Sequence, residues 1–517
     1  MSSMENTFTK AMNQAFNISG LFYEAARLNP DRLALIDGRH RITYSTLQKQ
    51  VDDTVQHFIH AGLKKGDRVL VFVPMSIDLY RVVLALFRMG AAAVFLDEWV
   101  SRKRMEACCE IAGCKGFIAV MKGHALRLFS KELRKIPIVL KQRTSPAQTQ
   151  HDPEPTSAGD TALITFTTGS TGTPKAARRT HGFLNEQFMA LREKIRPQPG
   201  DVDLSLLPIV LLINLGAGAT SVIARFKAGK PHAFKPAAIC EQISMHRVKR
   251  LTASPLFIRL LSEHLLSHQL TLPSVQQIFT GGAPVFPDEA ELFARAFDTA
   301  TVEIVYGSTE AEPISSIRSA ELVAGKAELL HKGLPVGKPD HRAEVKIIGI
   351  TEACISVATE ADLKLCPAGT VGEIIVAGPH VLREYVNNEA ALKRNKIFIG
   401  EKVYHRTGDS GCTDAQGNLF LTGRCSAVFD HEGITVYPFL YEHAFQQLKG
   451  VSAGTVLRLK DETLAVLELS ERKQRTTIES ALRDMPLSFD RICYMKQIPR
   501  DPRHHSKIDY ERLKEML

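Results

Sequence analysis

The chain has 517 residues, 44% hydrophobic and 23% charged, with a formal net charge of +9 and nine cysteines. That length holds about three domains, or one large and one small, and the composition sustains a packed core, which excludes a disordered, collagenous or disulfide-stapled chain. The basic balance suits anionic partners such as nucleotides, coenzyme A or a membrane surface met peripherally; no paired Cys/His ligands or aromatic RNA-binding signature point to nucleic acid.

The first seventeen residues, MSSMENTFTKAMNQAFN, lack a continuous apolar core and do not resemble a secretion signal. Strand-length apolar runs then alternate with segments of helical period. Arg68–Val73 is a predicted strand, Ile77–Met89 a helix, Ala93–Leu96 a strand, Arg102–Ile111 a helix and Phe117–Val120 a strand. This alternation is the sign of βαβ units and a mostly parallel sheet. Cys108, Cys109 and Cys114 cluster without a matching His or Cys group, so zinc spacing is lacking. An odd, scattered set fits free thiols in a reducing cytoplasm. Residues 144–160 are polar and Pro-rich and predict a surface loop.

Leu204 to Ala224 carries no charge and is long enough to span a bilayer. Pro208, Asn214, Gly216 and Gly218 argue instead for a buried strand entering a loop that lines a pocket. The strand pattern recurs at Arg250–Thr252 and at Gln277–Thr280, and from Ala343 to Val376 short, turn-rich strands predict an antiparallel region.

Three segments carry chemistry. Leu163 to Lys175 is an apolar strand running into a Gly/Ser/Thr loop, Thr167-Thr168-Gly169-Ser170-Thr171-Gly172-Thr173-Pro-Lys175. Gly169 and Gly172 let the backbone N–H groups approach an anion, and Lys175 adds a positive charge. The Thr-Pro-Lys ending is not the Walker pattern, which disfavours a kinase or GTPase of that type. The second segment, Ile304-Val-Tyr306-Gly307-Ser308-Thr309-Glu310, is a strand followed by a polar turn. It offers an aromatic face, hydroxyls and a carboxylate, and Glu310 suits magnesium, which prefers carboxylate, water and phosphate oxygens. The third, Tyr404-His-Arg-Thr-Gly-Asp409, ends in a carboxylate suited to a ribose diol. Taken singly, each of the last two also fits an ordinary strand-end turn.

The order TTGSTGTPK, YGSTE, HRTGD, TGR and a C-terminal lysine resembles the adenylate-forming superfamily of acyl-CoA synthetases, peptide-synthetase adenylation domains and luciferases. The likeness runs from Ile42-Thr-Tyr44 to Lys507. It implies an α/β fold: a large N-terminal domain of layered α/β subdomains, residues 1–424, and a small α+β C-terminal domain, residues 425–517, on a hinge. It further implies ATP and Mg²⁺ as cofactors and a small-molecule carboxylic acid as substrate. Thr167 to Lys175 would close over the β,γ-phosphates. Gly282, Ala283, Pro284 and Tyr306 would border the adenine. Thr309 would bond the α-phosphate, Glu310 would hold Mg²⁺, and Asp409 and Arg424 would bind the ribose hydroxyls. Lys507 would bridge the acyl carboxylate and the α-phosphate, offsetting the repulsion of two anions brought together.

The sequence departs from that pattern in two places. An acidic residue usually follows the hinge arginine by two positions; here Ser426 stands there, while Gly433, Pro438 and Glu442 keep the family spacing. This places the second half-reaction in question. The segment after Leu207-Pro208 is apolar and offers no anchoring charge for an amino acid. It suits an aliphatic chain, at about 0.8 kcal/mol per buried methylene.

The resemblance implies a fatty-acyl ligase that transfers the acyl group to coenzyme A. YGSTEAEPIS at 306–315, NLGAGATSVI at 214–223, GPHVLREY at 378–385 and Asp501 to Lys507 also resemble the branch of olefin-pathway β-lactone synthetases. There the substrate's own 3-hydroxyl displaces AMP and no coenzyme A is used. A non-catalytic nucleotide-binding partner is the third alternative.

Overall fold

The computed structural model describes residues 15–96, 101–142, 152–168, 174–226, 234–326, 329–470, 474–500 and 507–517. Three sheets build the large N-terminal part and two smaller ones follow Arg424.

The first sheet has six strands in the order Ile138–Lys141, Gly116–Ala119, Arg68–Phe72, Ala92–Phe95, Thr161–Thr168 and Pro174–Thr180. All neighbours are parallel except the last pair, which is an antiparallel hairpin. Helices Ile77–Arg88 and Arg102–Ala112 lie where the 3.6-residue period predicts them. Ser76 and Ser101 cap them, accepting from Leu79 N and Arg104 N; such a cap contributes about 1 kcal/mol. Cys108 and Cys109 are buried in the core between this sheet and its helices, so they pack as small hydrophobes. None of the nine cysteines, all among the described residues, forms a disulfide.

The second sheet has eight strands, six of them parallel to their neighbours, with antiparallel strands at both edges. Its interior carries the Val202–Ser205, Thr220–Ile223, Arg250–Ala253 and Gln277–Gly281 strands. Here the expectation for Leu204 to Ala224 is corrected. The stretch is strand, helix, strand, with a helix from Pro208 to Ala217 in place of the expected loop. Pro208 occupies the first turn, where its missing N–H costs nothing, and Gly218 ends the helix in the left-handed conformation at φ 78°. Asn214 faces inward and donates to Ser221 Oγ at 3.0 Å, and its carbonyl accepts from Tyr44. Among the described residues no helix is long and apolar enough to cross a membrane.

Beneath this helix Arg250, 1% exposed, donates to Asp203 at 3.0 Å and to Asp201 at 3.3 Å. Burial pushes the Asp203 carboxyl up to about 6, against the pull of Arg250. Breaking such a pair from one side leaves a buried charge without its partner, which is strongly destabilising.

The third sheet is antiparallel, as the turn-rich sequence predicts: Leu334–Gly337, Leu419–Arg424, Lys402–Thr413, Gly372–Ala377 and Glu344–Ile348, with Lys396–Ile399 paired to the long central strand. After Arg424 come a short turn, the Phe429–His431/Ile434–Val436 hairpin, the helix Pro438–Gln446 and a three-stranded sheet flanked by Arg475–Arg483 and Tyr510–Met516. This small α+β unit has its own core of Val456, Ala465, Leu467, Ile478 and Phe445. It docks on the large domain through Phe286, whose ring lies 4.7 Å from that of His443 and 5.3 Å from that of Phe439.

Candidate nucleotide and acid site

Lys175, Tyr306, Glu310, Asp409 and Arg424, which come from four segments of the large domain, lie close to one another. Strand Thr161–Thr168 pairs antiparallel with Pro174–Thr180, Thr167 opposite Lys175 and Thr168 opposite Pro174. Gly169, Ser170, Thr171, Gly172 and Thr173 lie outside the described residues. Lys175 Nζ donates to Asn395 Oδ1 at 3.2 Å. Burial holds the Lys175 ammonium below its ordinary range, and the Glu310 carboxylate opposes that shift.

Glu310 sits in the polar turn expected after the Tyr306 strand; the structure adds a second, antiparallel strand, so the turn joins Thr301–Ser308 to Ala311–Arg318. Its carbonyl accepts from Leu382 N at 2.7 Å, and its carboxylate accepts from Tyr385 OH at 3.3 Å. The segment around Leu382 to Val386 also bonds the first hairpin, through Arg178 N to Glu384 O and Val386 N to Ala176 O. One crossing segment thereby fixes the Thr161–Thr168/Pro174–Thr180 strand pair and the carboxylate turn relative to each other. Arg179 donates to the Thr309 carbonyl at 3.1 Å and holds the same turn from the far side. Ser308 Oγ is buried without a hydrogen-bond partner among the described residues.

Gly281 ends its strand against the next one. A Cβ there would lie 2.4 Å from the Val305 carbonyl oxygen, so only glycine permits the approach. Gly282, Ala283 and Pro284 follow directly and stand beside the strand that carries Tyr306. Tyr306 OH donates to Asp409 Oδ2 at 2.8 Å. Asp409 and Arg424 face each other across a strand pair, and Arg424 Nη1 lies 3.0 Å from Asp409 Oδ1. Burial, reinforced by the Asp409 carboxylate, pushes the Tyr306 phenol well up, so it stays a donor. Gly423, at φ 123°, leaves room for Phe439, whose Cβ would lie 2.7 Å from any added Cβ. That contact seats the small unit directly behind Arg424.

Lys507 lies on the small unit. Its neighbour Ile508 packs into that unit's core and bridges Arg500. The bonds joining Tyr306, Asp409, Arg424 and Glu310 to their neighbours all lie within the large domain. Residues Asp501 to Ser506 lie outside the described residues.

The donor set fits magnesium. Glu310 supplies one carboxylate at the turn, and no group of three or more His, Cys, Asp or Glu residues forms a metal cage among the described residues. Mg²⁺ is ordinarily held by one or two carboxylates completed by water and phosphate oxygens.

Three residues of this seam escaped the sequence reading. Lys396 and Asn395 stand in KRNKIFIGEK, a stretch whose charge density signals a solvated surface; Tyr385 belongs to a segment noted only for its family likeness. No pattern in one sequence marks a lysine as buried.

Comparison with known proteins decides the family: the AMP-binding enzyme profile matches residues 22–386. The chain belongs to the AMP-binding enzymes. It is an adenylate-forming enzyme. It is 28% identical to the olefin beta-lactone synthetase of Stenotrophomonas maltophilia (strain K279a), over 97% of this chain and 98% of the other. It is 25% identical to the feruloyl-CoA synthase of an Amycolatopsis species, over 84% of each. Among solved structures it matches the amide bond synthetase McbA from Marinactinospora thermotolerans with a TM-score of 0.80 at 20% identity, over 96% of this chain and 99% of the other. O-succinylbenzoate coenzyme A synthetase (MenE) from Bacillus subtilis, in complex with ATP and magnesium ion, matches with a TM-score of 0.78 at 22% identity, over 96% and 99%. At those identities the two structures establish the fold: a large N-terminal domain and a smaller C-terminal one.

Proposed function

We propose that this AMP-binding enzyme activates an aliphatic carboxylic acid with ATP and Mg²⁺, and that the substrate's own 3-hydroxyl then displaces AMP to close a β-lactone. The convergence of Lys175, Glu310, Tyr306, Asp409 and Arg424 on one seam carries the first half of this reading. Asp409 and Arg424 bind the ribose hydroxyls, Gly282 to Pro284 border the adenine, Thr309 meets the α-phosphate, and Thr167 to Lys175 face the β,γ-phosphates. Mg²⁺, held by Glu310, supplies charge neutralisation at the phosphates. A carboxylate oxygen attacks the α-phosphorus, the bond to the bridging oxygen breaks and pyrophosphate leaves. Residues 425–517 act as a mobile unit whose rotation brings Lys507 to the carboxylate and α-phosphate, where its charge offsets the anion pair.

The acid's chain lies among Phe188, Ile213, Phe279, Leu207, Ile209 and Val305, a continuous apolar cluster. Val305 leads directly into Tyr306, so the cluster adjoins the nucleotide seam. With no charge to grip an α-amine, it favours an aliphatic acid over an amino acid.

The fate of the acyl group is argued from the small domain. The likeness to the olefin beta-lactone synthetases runs through it, over 97% of this chain. The likeness to the feruloyl-CoA synthase covers 84%. Ser426 at the usual acidic hinge position fits an enzyme with no thioester to form. In the closing step the hydroxyl oxygen attacks the acyl carbon, the carbon–oxygen bond to AMP breaks and the hydroxyl proton passes to solvent. Transfer to coenzyme A is the second reading, favoured by the acyl-CoA-forming relative. Incubation with ATP, Mg²⁺ and a 3-hydroxy fatty acid separates the two: stoichiometric AMP and lactone without coenzyme A support the first, and strict dependence on coenzyme A supports the second.

A further inference from the structure

Lys396 opens the short strand Lys396–Ile399 and is 2% exposed. Its Nζ has no hydrogen-bond partner among the described residues. It lies 5.7 Å from the centre of the Tyr385 ring, the same tyrosine that donates to Glu310. The preceding residue, Asn395, accepts from Lys175 Nζ through its side chain and from His405 Nδ1 through its carbonyl. The two lysines thus flank one asparagine at the base of the Thr168–Pro174 hairpin.

A buried ammonium without an acceptor is costly, and a fold holds one only where something compensates. The Glu310 carboxylate stabilises the Lys396 charge, while burial and the neighbouring charges of Lys175 and Arg383 oppose it, so the ammonium is pushed down to about 7. Burial first, and then the Lys396 charge, drive His405 well below its ordinary range, so it stays neutral and adds no positive charge of its own. A magnesium ion held by Glu310 would share that carboxylate's charge, and the two lysines would then need another anion. A polyphosphate is the ligand that supplies both: oxygens for the metal at Glu310 and oxygens for the two ammonium groups.

We propose that Lys396 forms, with Lys175, a cationic subsite for the β,γ-phosphates of ATP and for the departing pyrophosphate. This rests on the adenylating reading above and adds a second cation to the phosphate end of the site. A charged contact to phosphate is stronger than a neutral hydrogen bond, and pyrophosphate makes the contact while AMP does not.

Lys396→Met tests it by nucleotide binding measured calorimetrically without any acid. The substitution removes an unpaired buried charge and keeps an unbranched chain, so the thermal midpoint is expected to hold or rise. The affinity for Mg-ATP falls roughly 10- to 100-fold and AMP binding changes less than about twofold. The affinity for pyrophosphate with magnesium, titrated in the same way, falls by the same factor as that for ATP. Unchanged ATP affinity, or equal losses for ATP and AMP, overturns the assignment. Lys396→Gln, which keeps a polar head but no charge, gives the same ATP-selective loss and serves if the methionine variant does not fold. Because no acid is present, a failure here is distinct from a failure of the adenylating reading, which would show as absent acid-dependent pyrophosphate exchange with normal ATP binding.

Discussion

Tyr306 and Asp409, 103 residues apart in sequence, are joined by a 2.8 Å hydrogen bond that ties the second sheet to the third. The bond leaves Asp409 with one oxygen toward Tyr306 and the other toward Arg424, so the carboxylate is held in a fixed orientation while retaining lone pairs for a ligand. Asp409→Ala therefore weakens AMP and ATP by the same factor, roughly 10- to 100-fold, because the ribose is common to both. Calorimetric titration of the two nucleotides checks this; a loss confined to ATP would place Asp409 elsewhere.

In the proposed function Glu310 holds Mg²⁺ beside the ATP phosphates. Glu310→Gln keeps the shape and the acceptor for Tyr385 but loses the charge. The rate of pyrophosphate release falls about 100-fold at saturating ATP, and the magnesium concentration for half-maximal rate rises. A magnesium titration of both proteins reads this directly, and superimposable curves would count against the metal role.

Lys507 is carried by the small domain. Lys507→Ala is expected to cut acid-dependent pyrophosphate release by about 100-fold or more, with ATP binding within about twofold of the parent. Timed pyrophosphate assays beside equilibrium ATP binding distinguish the two effects. Full activity in the variant would refute the role.

The small domain also carries a pH-dependent element. Burial pushes the Glu442 carboxyl up to about 7, even though Tyr510 and Thr455 donate to it. Between its ordinary value and 7 the folded chain holds a proton that the unfolded chain has released. Stability from this group is therefore full at low pH, declines as pH rises through that window and is flat above it. The difference between pH 5 and pH 8 is roughly 2–3 kcal/mol. Denaturant midpoints of the parent and Glu442→Gln at both pH values test this: the variant loses the slope, and equal slopes would reject it.

Much of this was legible in the sequence. The strands at 68–72, 92–95 and 116–119 and the helices between them follow from hydrophobic period alone, since buried parallel strands are continuous apolar runs. The Tyr306–Glu310 and Tyr404–Asp409 motifs carry local chemistry that can be weighed residue by residue, and Thr407 Oγ1 does accept from Asp409 N within the second of them. Leu204 to Ala224 failed because an all-apolar run has no period to separate helix from strand, and Gly218 marks a helix end rather than a loop. Lys396 failed for a different reason. Its burial depends on Tyr385, Glu310 and Lys175, which lie on separate segments, and no local pattern encodes their meeting.

ATP–pyrophosphate exchange tests the central claim most directly. With labelled pyrophosphate, Mg²⁺ and ATP, label enters ATP when a medium- or long-chain aliphatic acid is added and not when an amino acid replaces it. Exchange driven by amino acids alone, or acid-dependent release of ADP and phosphate in place of AMP and pyrophosphate, would contradict the assignment of this chain as an aliphatic-acid adenylating enzyme.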